Sequence, residues 1–140
     1  MAGVSTYLCL DFGLKNIGVA VGNTLTREAR PLTVLSADHG KPHWAELAAL
    51  IEEWKPTAVI VGHPIGESGE TTELSTKAAK FSRQLEGRFG VNVELHDERF
   101  SSKEAKQYAK ELGHNGDFVR HPIDDVAAAI ILESWLRAAP

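Results

Sequence analysis

Carboxylates stand at three places in this chain where acids are awkward. Asp11 ends the apolar run Tyr7-Leu8-Cys9-Leu10, and Phe12-Gly13 follows at once. Asp97 and Glu98 close the stretch VNVELHDE, and Asp124 and Asp125 open the final, almost wholly apolar segment DDVAAAIILESWLRA. In open α/β sheets, sites gather beyond the carboxyl ends of the strands. Asp11 and Glu98 meet there if their strands end on the same side, with the first turn of the last helix leaning over them. Carboxylates that close repel and raise one another's pKa, and a divalent cation removes the conflict. A set of carboxylates alone suits Mg²⁺ or Mn²⁺ rather than zinc. Two such ions roughly 3.5–4 Å apart are the usual device for in-line displacement at phosphorus. Each acid also has an ordinary reading: a turn aspartate at Asp11, a solvated strand end at Asp97-Glu98-Arg99, and carboxylates favouring a helix dipole at Asp124 and Asp125.

The elements that must position these acids follow from periodicity. Residues 5–11, 16–23 and 30–36 are apolar or β-branched runs joined by short turns, which predicts an antiparallel meander. Trp44, Leu47, Ala48, Ile51 and Trp54 then fall at helical spacing, and Pro56 stops that helix. TAVIVG (57–62) suits a strand covered on both faces. Leu74, Ala78, Phe81, Leu85 and Phe89 mark a second helix, which Gly90 ends. Residues 91–96 alternate as a half-exposed strand does. The SSKE capping box at 101–104 opens a helix to about Leu112, and a last helix starts near Pro122. The order βββαβαβα, with helical crossovers after the third strand, implies parallel pairing there. The expected fold is a single α/β domain over residues 1–140, a five-stranded mixed sheet flanked by helices.

Composition bounds the function classes. The 140 residues are 43% hydrophobic and 24% charged, ordinary for a globular chain long enough to bury its own core. The single cysteine, Cys9, lies in an apolar run and reads as a buried hydrophobe. With no possible intrachain disulfide, no basic leader and no long apolar span, the expected location is the cytoplasm, away from membranes. Net charge is −4, against nucleic-acid binding by bulk field alone. The charge is uneven, however: residues 99–121 hold five Lys or Arg and three Asp or Glu, +2, leaving −6 elsewhere.

Four stretches, LDFGLKNIGVAVG, AVIVGHPIGESGE, HDERFSS and IDDVAAAIILESWL, make the chain resemble the YqgF (RuvX) group of ribonuclease H-like nucleases, in the right order and over nearly its whole length. The resemblance implies a ribonuclease H-like fold. It also implies a metal-dependent phosphodiesterase acting on structured nucleic acid, either processing the 5′ end of pre-16S ribosomal RNA or resolving Holliday junctions. It puts the family's three acids on Asp11, Glu98 and Asp124, with Asp125 as the fallback, and its basic residue on Lys15. Asn16 stands where the family often has arginine, and His63 where an apolar residue usually precedes the proline. These departures bear on substrate contacts rather than on the acids. No cofactor beyond Mg²⁺ or Mn²⁺ is implied. The expected assembly is a monomer or weak homodimer, although symmetric cutting of a four-way junction calls for a dimer.

Other residues are less specific. Lys103, Lys106 and Lys110 share one helix face and read either as phosphate contacts or as a solvated stripe. Arg99 either meets the scissile phosphate or neutralises Asp97. GHPIGESGE lacks the lysine of a Walker loop and reads as a substrate flap or an ordinary connection. The six histidines show no ligand spacing, and Trp44, Trp54 and Trp135 sit at core positions. A nucleotide-binding domain of the actin or sugar-kinase type would need a second lobe, and the DFG triplet lacks every other protein-kinase feature. A non-catalytic module binding nucleic acid remains a rival reading.

Overall fold

The computed structural model describes residues 4–64, 68–97 and 124–138. The strands are β1 (Thr6–Asp11), β2 (Asn16–Asn23), β3 (Ala29–Asp38), β4 (Lys41–Pro42), β5 (Ala58–His63) and β6 (Asn92–Asp97). The described helices are α1 (Trp44–Trp54), α2 (Glu73–Phe89) and α3 (Asp124–Ala138). The helix expected over 101–112 lies outside the described residues.

The sheet runs β4-β3-β2-β1-β5-β6. β1, β2 and β3 form the expected antiparallel meander, and β1–β5 and β5–β6 pair in parallel. The mixed α/β topology implied by the family resemblance is the one observed. One correction concerns strand number: among the described residues there are six strands, not five. The extra one, β4, is two residues long and pairs only with Ala37 and Asp38 at the tip of β3. A two-residue strand has no periodicity to read, so it leaves no pattern in the sequence.

Side-chain alternation sorts the sheet into two faces. Leu8, Leu10, Ile17, Val19, Val21, Val59 and Val61 pack with Leu47 of α1 and Ala78, Phe81 and Leu85 of α2. Cys9, Ala20 and Ile60 point the other way, against Ala128, Ile131, Leu132 and Leu136 of α3. Small residues on β2 let α3 approach the sheet. At Gly22, a Cβ would sit 2.7 Å from the Glu28 carbonyl oxygen and 3.0 and 3.1 Å from the methyl carbons of Leu136 and Leu132. Only glycine fits under that helix.

Both faces agree with the sequence pattern. α3 buries Ala127, Ala128, Ala129, Ile131, Leu132 and Leu136, as its apolar composition requires, and leaves Ser134, Arg137 and Ala138 exposed. Trp44 and Trp54 pack on the α1/α2 core and Trp135 on the α3 core. Cys9 is fully buried. α2 opens with a capping box in which Thr72 and Ser75 satisfy one another's backbone N–H groups, and it ends at Gly90 in the left-handed conformation.

Candidate metal centre at the end of the central strand

Parallel pairing brings the carboxyl ends of β1, β5 and β6 to one end of the sheet. Leu10 is in register with Val61, and Val61 with Leu95. Asp11, Gly62 and His96 therefore stand at one level, each the next residue along its strand. Alternation then decides which face each uses. Cys9 packs on the α3 core and Leu10 on the other, so Asp11 faces α3. His96 does too, since its Nε2 lies 3.1 Å from Ser134 Oγ of α3. Asp97 falls on the α1/α2 face, opposite to Asp11. Of the two acids closing β6, Asp97 is thus the wrong one to join Asp11.

The neighbours of Asp11 on that face carry no side chains. Gly18 is its partner on β2. Gly62, one step beyond the Leu10–Val61 pair, is the α3-facing residue of β5 at its level. The half-buried Asp11 carboxylate is therefore bordered by backbone on both sides. The strand end itself is held firmly. Phe12 is buried on the α1/α2 face, its ring centroid 5.0 Å from that of Phe81. A Cβ on Gly13 would lie 2.5 Å from the Asn16 carbonyl oxygen, so the β1–β2 turn admits only glycine there. Leu14 and Lys15 accept backbone hydrogen bonds from Gly40 and Ala37 at 2.9 and 2.8 Å. The opposed packing of Phe12 and Asp11 explains why a core strand finishes in an acid.

α3 runs toward this end. Around Glu133, Trp135 and Leu136 it is held against the start of β1, the end of β2 and the start of β3 by packing and by hydrogen bonds, while Ser134 meets His96. Tyr7 and Trp135 have ring centroids 4.7 Å apart. Gly22 lies under Leu132 and Leu136. The Ala29 N–H donates to Glu133 Oε1 at 3.2 Å, and Arg27 Nη1 donates to the Leu136 carbonyl at 3.4 Å. From Tyr7 to Asp11 the strand rises about 13 Å. From Trp135 back to Asp124 the helix rises about 16 Å. Helix α3 packs on the face that Asp11 uses, and the two rises are of similar length. Within that turn the Val126 N–H donates to Asp125 Oδ1 at 2.9 Å, so Asp125 serves its own helix end.

The remaining expected site residues are distributed as follows. Lys15 is exposed in the turn just past Asp11. Glu98, Arg99, Lys103, Lys106 and Lys110 lie outside the described residues, as does the side chain of Asp124. Among the described residues, no group of three or more His, Cys, Asp or Glu side chains could hold a metal ion. In the described part of the GHPIGESGE stretch, the Pro64 carbonyl accepts from Thr72 Oγ1 at 2.9 Å, tying the start of α2 back to the end of β5. Among the described helices, none is long and apolar enough to cross a membrane.

Comparison with known proteins is consistent with this geometry. The family model described as "RuvX: Holliday junction resolvase" matches residues 5–138. A protein of Pseudomonas syringae pv. tomato named "Putative pre-16S rRNA nuclease" is 46% identical, covering 100% of this chain and 97% of its own. One of the same name from Azotobacter vinelandii is 44% identical, covering 100% and 99%. Among solved structures, Thermus thermophilus RuvC in complex with a Holliday junction substrate aligns with a TM-score of 0.56 at 19% identity, covering 96% of this chain and 94% of that one. The fowlpox virus resolvase with Holliday junction DNA aligns at 0.58 and 15%, covering 95% and 97%. At such identities these two share the fold.

Proposed function

The chain belongs to the RuvX family, and from that premise we propose that it is a metal-dependent endonuclease hydrolysing phosphodiester bonds in structured nucleic acid, as one ribonuclease H-like domain spanning residues 1–140. What supports the reading is that Asp11 uses the α3 face of the sheet, beside Gly18 and Gly62, and that α3 packs along that same face.

Asp11, Glu98 and Asp124 are the residues that would hold Mg²⁺ or Mn²⁺. The donor set fits, because carboxylate oxygens suit these hard cations. The reading requires Glu98 to use the face of His96, two residues before it, as strand alternation dictates. Asp124 is preferred to Asp125, because the Asp125 carboxylate already accepts from the Val126 N–H. When bound, such ions supply a nucleophilic water at neutral pH and offset the charge on the leaving oxygen.

The chain's own contribution is placement. Phe12 and Gly13 fix the backbone that carries Asp11, so the carboxylate is preorganised rather than ordered on binding. Lys15, exposed just beyond it, is positioned to meet a substrate phosphate. Arg99, Lys103, Lys106 and Lys110 complete the proposed cationic path. The N-terminus of α3 adds its partial positive charge where substrate anion gathers.

The names carried by relatives at 44–46% identity favour precursor 16S ribosomal RNA as substrate, and our reading puts the cut toward its 5′ end. The description of the family model favours a second reading, resolution of four-way DNA junctions. The test is side-by-side cleavage of precursor ribosomal RNA and a four-way junction with Mn²⁺, with Asp11→Asn as control. Cleavage of the RNA alone supports the first reading, and paired symmetric nicks in the junction support the second. Cleavage by Asp11→Asn at the unaltered rate removes Asp11 from the mechanism, and cleavage of neither substrate by the unaltered protein rejects both.

A further inference from the structure

On the α2 side of the same sheet end lies a groove of about 140 Å³ that the proposed metal centre does not use. It is lined by Phe12, the residue after Asp11, by Lys41 from β4 and by Lys77, Lys80 and Gln84 from α2. We infer that this groove binds the phosphodiester backbone of the substrate strand next to the point of cleavage. The inference rests on the nuclease reading and extends it to a surface that the sequence pattern did not single out.

Three lysines converge here from two elements distant in the chain, in a protein of net charge −4. All three are exposed, so their ammonium groups remain hydrated and able to meet an anion. The nearby acids are weakly held. Glu73 pairs with Lys77 at 3.4 Å but is itself 86% exposed, and Asp38 pairs with His39 at 2.7 Å, both about nine-tenths exposed. Pairs of this kind contribute little and yield to a better anion. Topology supplies the link to the reaction. The β3–β4 hairpin and the start of α2 both lie at the end of the sheet where β1 terminates. A strand crossing Asp11 toward α2 therefore reaches the groove at once. Phe12 thus has Asp11 beside it in sequence and lines the groove.

The experiment measures binding of a fluorescent RNA hairpin and a four-way DNA junction, without cleavage, in Ca²⁺ buffer between about 50 and 200 mM salt. Lys77→Ala/Lys80→Ala is compared with the unaltered protein and with Arg137→Ala, a cation at the opposite end of the sheet. On the duplex arms of the junction, the slope of log affinity against log salt falls by about 0.9 for each phosphate no longer neutralised, hence by nearly 2 for the double variant. Lys77→Arg/Lys80→Arg restores the slope, which separates charge from any change in folding. An unchanged slope in the alanine variant, with the unaltered protein binding normally, overturns the groove and leaves the nuclease reading standing. If the unaltered protein neither binds nor cuts either substrate, both fall together.

Discussion

Tyr7 and Trp135, from opposite ends of the chain, pack in a tilted pair with ring centroids 4.7 Å apart and planes inclined at 58°. The pair pins the C-terminal half of α3 to the start of β1, on the face that Asp11 uses. In our reading, a contact far from any chemistry thereby sets the placement of a proposed metal ligand. Trp135→Ala is expected to cost roughly 2–4 kcal/mol in urea unfolding, through weaker packing and the missing aromatic pair together. Trp135→Phe should retain most of that. The alanine variant should also need more Mn²⁺ for half-maximal cleavage, because α3 loses its anchor. A metal requirement that stays fixed while stability drops would separate the anchor from the site.

Gly22 offers an independent probe of the same helix. An alanine there would meet the Glu28 carbonyl oxygen and the methyls of Leu132 and Leu136 at 2.7–3.1 Å. Gly22→Ala should therefore destabilise by about 1–3 kcal/mol, the usual scale of overpacking. Because part of the clash is with Leu132, the double variant Gly22→Ala/Leu132→Ala should lose less than the sum of the two single losses. Strict additivity in chemical denaturation would show that the backbone at Glu28, not the helix, sets the limit.

The core of this fold was legible because burial leaves a period. The alternation of Leu8 and Leu10 against Cys9, the run at 57–62 and the helical spacing from Leu74 to Phe89 each give one element. Short-range signals were legible as well, as with Gly90 at the end of α2. The strand β4 was not, since Lys41 and Pro42 are ordered by the β3 tip and not by any local pattern. At the site, the face of Asp11 could be read once parallel pairing was granted. What the sequence could not supply was the direction of α3, which depends on a few contacts across the whole chain, Tyr7 with Trp135 and Ala29 with Glu133. Nor could it show that Gly18 and Gly62 border Asp11, because strand register is needed to see it. The groove lysines were missed for a similar reason: Lys77 and Lys80 alone make a bare pair on α2, and Lys41 joins them from a separate element far off in the sequence.

Asp124 and Asp125 are adjacent, chemically equal, and assigned different work. If Asp125 serves the first turn of α3 and Asp124 the metal, the two asparagine variants must part company. Asp125→Asn keeps an oxygen for the Val126 N–H and loses only the charge at the helix start, a cost of about 0.3–1 kcal/mol. Its cleavage rate should stay within a few fold of the unaltered enzyme. Asp124→Asn should leave stability nearly unchanged and lower the rate by at least about a hundredfold, beyond what loss of an outer-shell partner costs. The reverse pattern would transfer the ligand role to Asp125.

Metal binding should also be visible without any cleavage. Helix α3 and the strands form their cores from apolar side chains, so chelation should leave the far-ultraviolet circular dichroism spectrum intact. Added Mn²⁺ should then raise the melting temperature, because an ion that binds only the folded state stabilises it by RT ln(1 + [M]/Kd), about 2.7 kcal/mol at a hundredfold excess over Kd. In Asp11→Asn that gain should largely vanish. The metal-free variant should melt at or above the unaltered protein if Asp11 faces the acids proposed to share its ion, since one carboxylate of that set is then neutral. A Mn²⁺-induced shift of equal size in both proteins would mean that the ion binds elsewhere and that Asp11 is a turn residue after all.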